Sequence, residues 1–151
     1  METKKINPMH VLYFSTETKI NDIAQYVGVI GERLKKDAEE QNIKITGPQS
    51  WMYYDFTGEP DAFFTLEIAF PIDTLPENYS GAFAVKTLDE YKCLSTSHEG
   101  DWMQIPNTYD KLMTYVKENS IEAKTNSREV YSHVDMENPE NNKIEIQLGI
   151  N

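Results

Sequence analysis

Apolar residues between Asn21 and Gln41 fall at Ile23, Val27, Ile30 and Leu34. Spacings of four, three and four put them on one face of a helix. Asn21 or Asp22 can cap its start, because a short side-chain oxygen accepts from the free amides of a first turn. The opposite face carries Glu32, Lys35, Lys36, Glu39 and Glu40 and reads as solvated surface. Gly28 and Gly31 fall inside this helix, where they predict close packing on a sheet at some cost in helix propensity. A second helical pattern starts near Pro106, with Tyr109, Leu112, Met113 and Val116 on one face. Proline suits a first turn, where no amide is needed. Strict alternation marks two strands: Phe64, Leu66, Ile68 and Phe70, and Ile144, Ile146, Leu148 and Ile150. A strand at Val11–Ser15 precedes the first helix. Residues 81–96, broken near Asp89-Glu90, precede the second.

These pieces repeat. Ser15-Thr16 corresponds to Ser95-Thr96 at an offset of 80 residues. Asn42-Ile43 corresponds to Ser120-Ile121, Tyr53 to Tyr131, and Leu66-Glu67-Ile68 to Ile144-Glu145-Ile146, each at an offset of 78. The pattern predicts an α+β fold of one domain over residues 1–151, built as a tandem duplication of a strand–helix–strand–strand unit. The copies span about 8–73 and 81–151, joined by a turn-rich linker at about 73–80 that contains Pro76. Two long helices then cover one face of an antiparallel sheet, with a ligand groove between the repeats.

Alternation also sorts the third element of each copy. Met52 and Val130 form the more aliphatic phase and are expected under the helices. That leaves Trp51, Tyr53, Glu129 and Tyr131 on the uncovered face. An approximate two-fold axis would set Trp51 opposite Glu129 and Tyr53 opposite Tyr131. Three aromatics around one carboxylate suit a flat or cationic organic ligand. The same residues also read as ordinary sheet aromatics beside a surface glutamate.

Composition narrows the chemistry. The net charge is −11, which disfavours direct contact with phosphate backbones. No stretch reads as a signal peptide or a membrane span, so a cytoplasmic protein with no membrane partner is expected. The single cysteine, Cys93, lies in an apolar run with no activating neighbour and reads as a packed thiol. His10, His98 and His133 have no metal-ligand spacing, and neither a phosphate-binding glycine loop nor a Gly-x-Ser-x-Gly elbow is present. No metal and no cofactor are expected.

Four stretches carry a resemblance that covers about Pro8 to Ile150. They are Leu75-Pro76-Glu77-Asn78 followed by Gly81, His98-Glu99-Gly100 leading to Tyr109 and Leu112, Glu129-Val130-Tyr131, and Ile144-Glu145-Ile146-Gln147-Leu148-Gly149-Ile150. In order and spacing they resemble the GyrI-like small-molecule-binding domains, the effector-binding domains of AraC-type and MerR-type multidrug-responsive regulators. The resemblance implies a pocket between the repeats in which an acidic residue, here Glu129, faces hydrophobic cations, with Tyr131 in its wall. Trp51 and Tyr53 are added from the repeat geometry. Trp102 stands near a position where many members carry an aromatic. Many members have a proline before the last apolar residue of the closing strand; this chain has Leu148-Gly149-Ile150 there and keeps Pro71 in the first copy. The length leaves no room for a helix–turn–helix DNA reader, so a stand-alone member is expected. Three functions stay open: a module that sequesters or senses lipophilic or cationic aromatic compounds, a hydrolase of electrophiles using Glu129 and Tyr131, or a protein-binding module. The expected partners are a small organic ligand, and beyond it a regulator or DNA gyrase, with the chain a monomer or a homodimer.

Overall fold

The computed structural model describes residues 1–151. Eight antiparallel strands form one sheet. In chain order they are β1 (Glu2–Ile6), β2 (Met9–Thr18), β3 (Ser50–Tyr54), β4 (Phe64–Pro71), β5 (Ala84–Leu88), β6 (Tyr91–Glu99), β7 (Ala123–His133) and β8 (Lys143–Ile150). Two α-helices, α1 (Ile30–Glu40) and α2 (Ile105–Glu118), cross one face. No helix is long and apolar enough to cross a membrane.

The sheet order is β1-β6-β8-β7-β3-β4-β2-β5. Read outward from the central β7–β3 pair, the two halves are the same sequence of strands. The sequence predicts no strand at β1, because Glu-Thr-Lys-Lys-Ile shows no apolar alternation. Lysines on an edge strand blunt a free rim, which is why this one is polar. With β1 included, a further strand leads each copy. These leading strands are exchanged: β1 pairs with β6 of the second copy, and β5 pairs with β2 of the first.

The first helix differs from the sequence reading. Residues Ile20–Tyr26 form a 3-10 segment, Gly28 takes a left-handed φ of 71°, and α1 begins only at Ile30. Gly28 breaks the run where a residue with a Cβ would be strained. Neither Asn21 nor Asp22 caps it; the Asn21 amide donates to Asp61 instead. Gly31 does lie in α1, packed against the Gln49 side chain. The second helix contains Pro106 in its first turn.

Both helices end alike. Asn42 and Ser120 have φ of 56° and 52°. The next amide reaches back in each case, Ile43 to the Ala38 carbonyl at 2.8 Å and Ile121 to the Val116 carbonyl at 3.0 Å. Asn42 and Ser120 themselves bond the Glu39 and Lys117 carbonyls. This is the Schellman arrangement, with an apolar residue just after the left-handed one.

The helix-covered core divides in two. One cluster lies under α1 and includes Leu12, Leu34, Trp51, Leu66 and Ile68. The other lies under α2 and includes Leu94, Leu112, Ile144 and Ile146. Tyr131 packs against both, at the seam between them. A small third cluster, Val11, Met52, Ala69 and Leu88, lies on the helix-free face.

Candidate functional site

The face assignment from the sequence is reversed in the structure. Trp51 and Tyr53 lie under the helices, and Met52 faces away from them. Register explains it. Trp51 pairs with Ile68 and Tyr53 with Leu66, so they share the face of the most apolar phase of β4. Aliphatic character within β3 alone is a weaker guide than the phase of the strand beside it. A cavity of about 210 Å³ opens on the helix-free face, lined by residues of both copies that include Met52 and Val130.

Across the central pair, Trp51 does stand opposite Glu129. Tyr53 stands opposite Ser127, not Tyr131, because antiparallel registers advance in opposite directions from the two-fold centre. The symmetry-related contact is between Tyr131 and Gln49, whose carbonyl accepts from the Tyr131 amide at 2.9 Å.

Glu129 is 5% exposed. Three phenol hydroxyls donate to it: Tyr131 at 2.6 Å and Tyr53 at 3.0 Å to Oε1, and Tyr109 at 2.9 Å to Oε2. Ser127 Oγ lies 3.3 Å from the Tyr109 hydroxyl. Glu129 takes part in none of the molecule's salt bridges. Burial pushes its carboxyl above the usual range, and the three tyrosine hydrogen bonds pull it partly back. Burial and the neighbouring carboxylate push all three phenols well above the ordinary tyrosine value, so they stay protonated donors.

The walls are aromatic. Trp51 meets Tyr131 edge-on with ring centroids 6.3 Å apart, and its indole N–H donates to Gln49 Oε1 at 2.8 Å. Tyr53 packs on Phe56 and Phe64 at 5.4 and 5.6 Å. The structure thus brings together Glu129, Tyr131, Trp51 and Tyr53. Trp102 makes no hydrogen bond to this cluster; it is half-buried in a short 3-10 segment (Trp102–Gln104) against the core under α2, on which Tyr109 and Tyr131 also pack. Tyr109 is the member that sequence reasoning did not single out. Its signal was present: a polar-tipped residue on the apolar stripe of the second helix.

Other residues have structural duties. His98 is buried; its Nε2 donates to the Asp101 carbonyl at 2.8 Å and its Nδ1 meets Thr108 Oγ1 at 2.7 Å, which fixes the turn into α2. Cys93 is fully buried, and burial raises its thiol pKa, away from nucleophilic use. No group of three or more His, Cys, Asp or Glu side chains is placed to hold a metal ion.

Residues 1–151 match the family described as GyrI-like small molecule binding domain. Comparison with curated protein sequences gives no match. Among solved structures, the EcmrR C-terminal domain superposes with a TM-score of 0.76 at 17% identity, covering 99% of this chain and 96% of that one. EcmrR in complex with DNA superposes with a TM-score of 0.78 at 17% identity, and there the chain spans only 56% of its relative's length. SAV2435 bound to tetraphenylphosphonium gives 0.70 at 13% identity, covering 99% and 93%. At these identities the likeness is one of fold.

Proposed function

The chain belongs to the GyrI-like small molecule binding domain family, and from that premise we propose that it binds a lipophilic, cationic aromatic compound against Glu129, to sequester or sense it. One observation carries this reading: a buried carboxylate that accepts from three phenols and forms no salt bridge. Such a group is stabilised by any cation whose own charge is spread over an apolar body, since burying the pair then costs little further desolvation. The surrounding rings add apolar area and cation–π attraction. The tetraphenylphosphonium on SAV2435 is a ligand of this class. Tyr109 and Tyr131, the half-buried members of the trio, are the rings a ligand has to move to reach the carboxylate. With a net charge of −11, a regulatory output would run through a partner protein rather than direct DNA contact.

Trp fluorescence titration with a rhodamine dye tests the reading. Saturable quenching is expected, and Glu129→Gln should weaken it by about tenfold or more, the loss of one charge-assisted contact. Equal affinity in the Gln variant removes Glu129 from the site. A raised carboxyl pKa beside phenol donors also fits a general base. Turnover of an electrophile that Glu129→Gln abolishes, with binding of the unreacted compound retained, would assign that second reading.

A further inference from the structure

The helix-free face carries a second constellation of different chemistry. The cavity of about 210 Å³ is walled by apolar groups, among them Val11, Met52 and Leu88, and by the side chains Lys4, Arg128, Glu145 and Gln147. Its carboxylate is already engaged. Glu145 accepts from Lys4 Nζ at 3.3 Å, Ser95 Oγ at 3.0 Å and Gln147 Nε2 at 2.6 Å. The nearby Glu67 is bound by Lys86 Nζ at 2.7 Å. Arg128 has no such partner: it forms none of the three salt bridges, and no acceptor bonds its guanidinium. On its row of the sheet the flanking residues are Met52 and Gln147, neither of them anionic.

Arg128 is nevertheless held in place. Its guanidinium lies 3.8 Å from the centroid of the Tyr91 ring. Tyr91 is itself anchored, its hydroxyl donating to the Gln147 carbonyl at 3.2 Å. Stacking uses the flat face of the guanidinium and leaves its N–H fork free for a planar anion. Two cations and one paired carboxylate leave the cavity with one positive charge to spare, in a chain that is otherwise strongly acidic. A cavity of roughly 150 Å³ suffices for benzene, so this one has room for a single ring with a charged substituent.

We propose that this face is a second ligand site, taking a small aryl carboxylate whose ring lies on Met52, Val11 and Leu88 and whose carboxylate bridges to Arg128. It is independent of Glu129, from which it is separated by the thickness of the sheet. Burial lowers the guanidinium pKa somewhat, consistent with a poorly hydrated cation that an anion would relieve.

Benzoate is the probe, with benzamide as its neutral counterpart, read by NMR on methyl-labelled methionine. The six methionines divide cleanly: Met9 and Met52 line the cavity, while Met1, Met103, Met113 and Met136 are exposed elsewhere. Benzoate should shift the Met9 and Met52 methyls saturably, at about millimolar affinity for so small a ligand. Arg128→Gln should weaken it at least about tenfold, with Arg128→Lys between. Rhodamine quenching should persist in the Arg128 variants, so the fate of the Glu129 reading is scored separately. Equal binding of benzamide, shifts confined to Met103 and Met113, or no shift up to about 10 mM would overturn the proposal. So would Met9 and Met52 shifts that depend on protein concentration without ligand, which would give this face to a second copy.

Discussion

Burial pushes the Glu129 carboxyl above its ordinary range; three phenol hydrogen bonds oppose that without cancelling it. The folded protein therefore binds this proton more tightly than the unfolded chain. Its contribution to stability is fully present below the ordinary glutamate pKa of 4.5 and is lost as pH rises through the higher folded-state value. Glu129→Gln removes that loss. Thermal melts of both proteins across the acid-to-neutral range should show the wild type falling relative to the variant as pH rises. A constant difference would mean the carboxyl is not perturbed by burial. The same proton opposes a bound cation, so dye affinity should rise with pH over that interval. Much of this cluster was legible in the sequence. The 78-residue offset set Trp51 against Glu129, and the register bears that out. The offset could not place Tyr53, because a repeat gives equivalence and an antiparallel pair reverses direction. It could not supply Tyr109 either, because helix-to-sheet contact is not written in strand alternation.

Helix ends show how local chemistry survives in both copies. Asn42 and Ser120 occupy the same left-handed position after α1 and α2, and their match in sequence is a match in cap geometry. They are not equally suited to it. Asparagine tolerates left-handed backbone, whereas serine carries more of the roughly 1–2 kcal/mol cost of a Cβ there. Ser120→Gly should raise stability by about 1 kcal/mol, or roughly 2–4 °C in Tm for a chain of this size, with Asn42→Gly giving less. Equal gains, or a loss at Ser120, would contradict the cap assignment. Helix starts were harder to read. The apolar spacing at Ile23, Val27 and Ile30 runs straight through Gly28, and only its left-handed φ shows that periodicity was bridging two separate elements.

Strand exchange governs the molecule as a whole. Each copy borrows its outer strand from the other, β1 on β6 and β5 on β2. Separating the copies would cost two strand pairs at the rims as well as the β3–β7 pair at the centre. Fragments 1–76 and 77–151, made separately, should therefore be poorly folded alone and recover the native circular dichroism when mixed. Independent folding of either fragment would show the exchange to be dispensable. The duplication was readable because its landmarks keep their spacing. The exchange was not, because the polar β1 carries no alternation to reveal it.

The Trp51–Glu129 pair lies where the two copies meet, at the point a two-fold operation would map onto itself. Had the copies stayed identical, that point could offer only two acids or two rings. Joined in one chain, they were free to differ, and the result is a doubled frame with an undoubled charge. The valence follows from that: a single carboxylate balances a monocation, and a dication would leave one charge uncompensated under the helices. With a cation bound at Glu129 as proposed, one chain should thus take up one such ligand, and a monocation in preference to a dication.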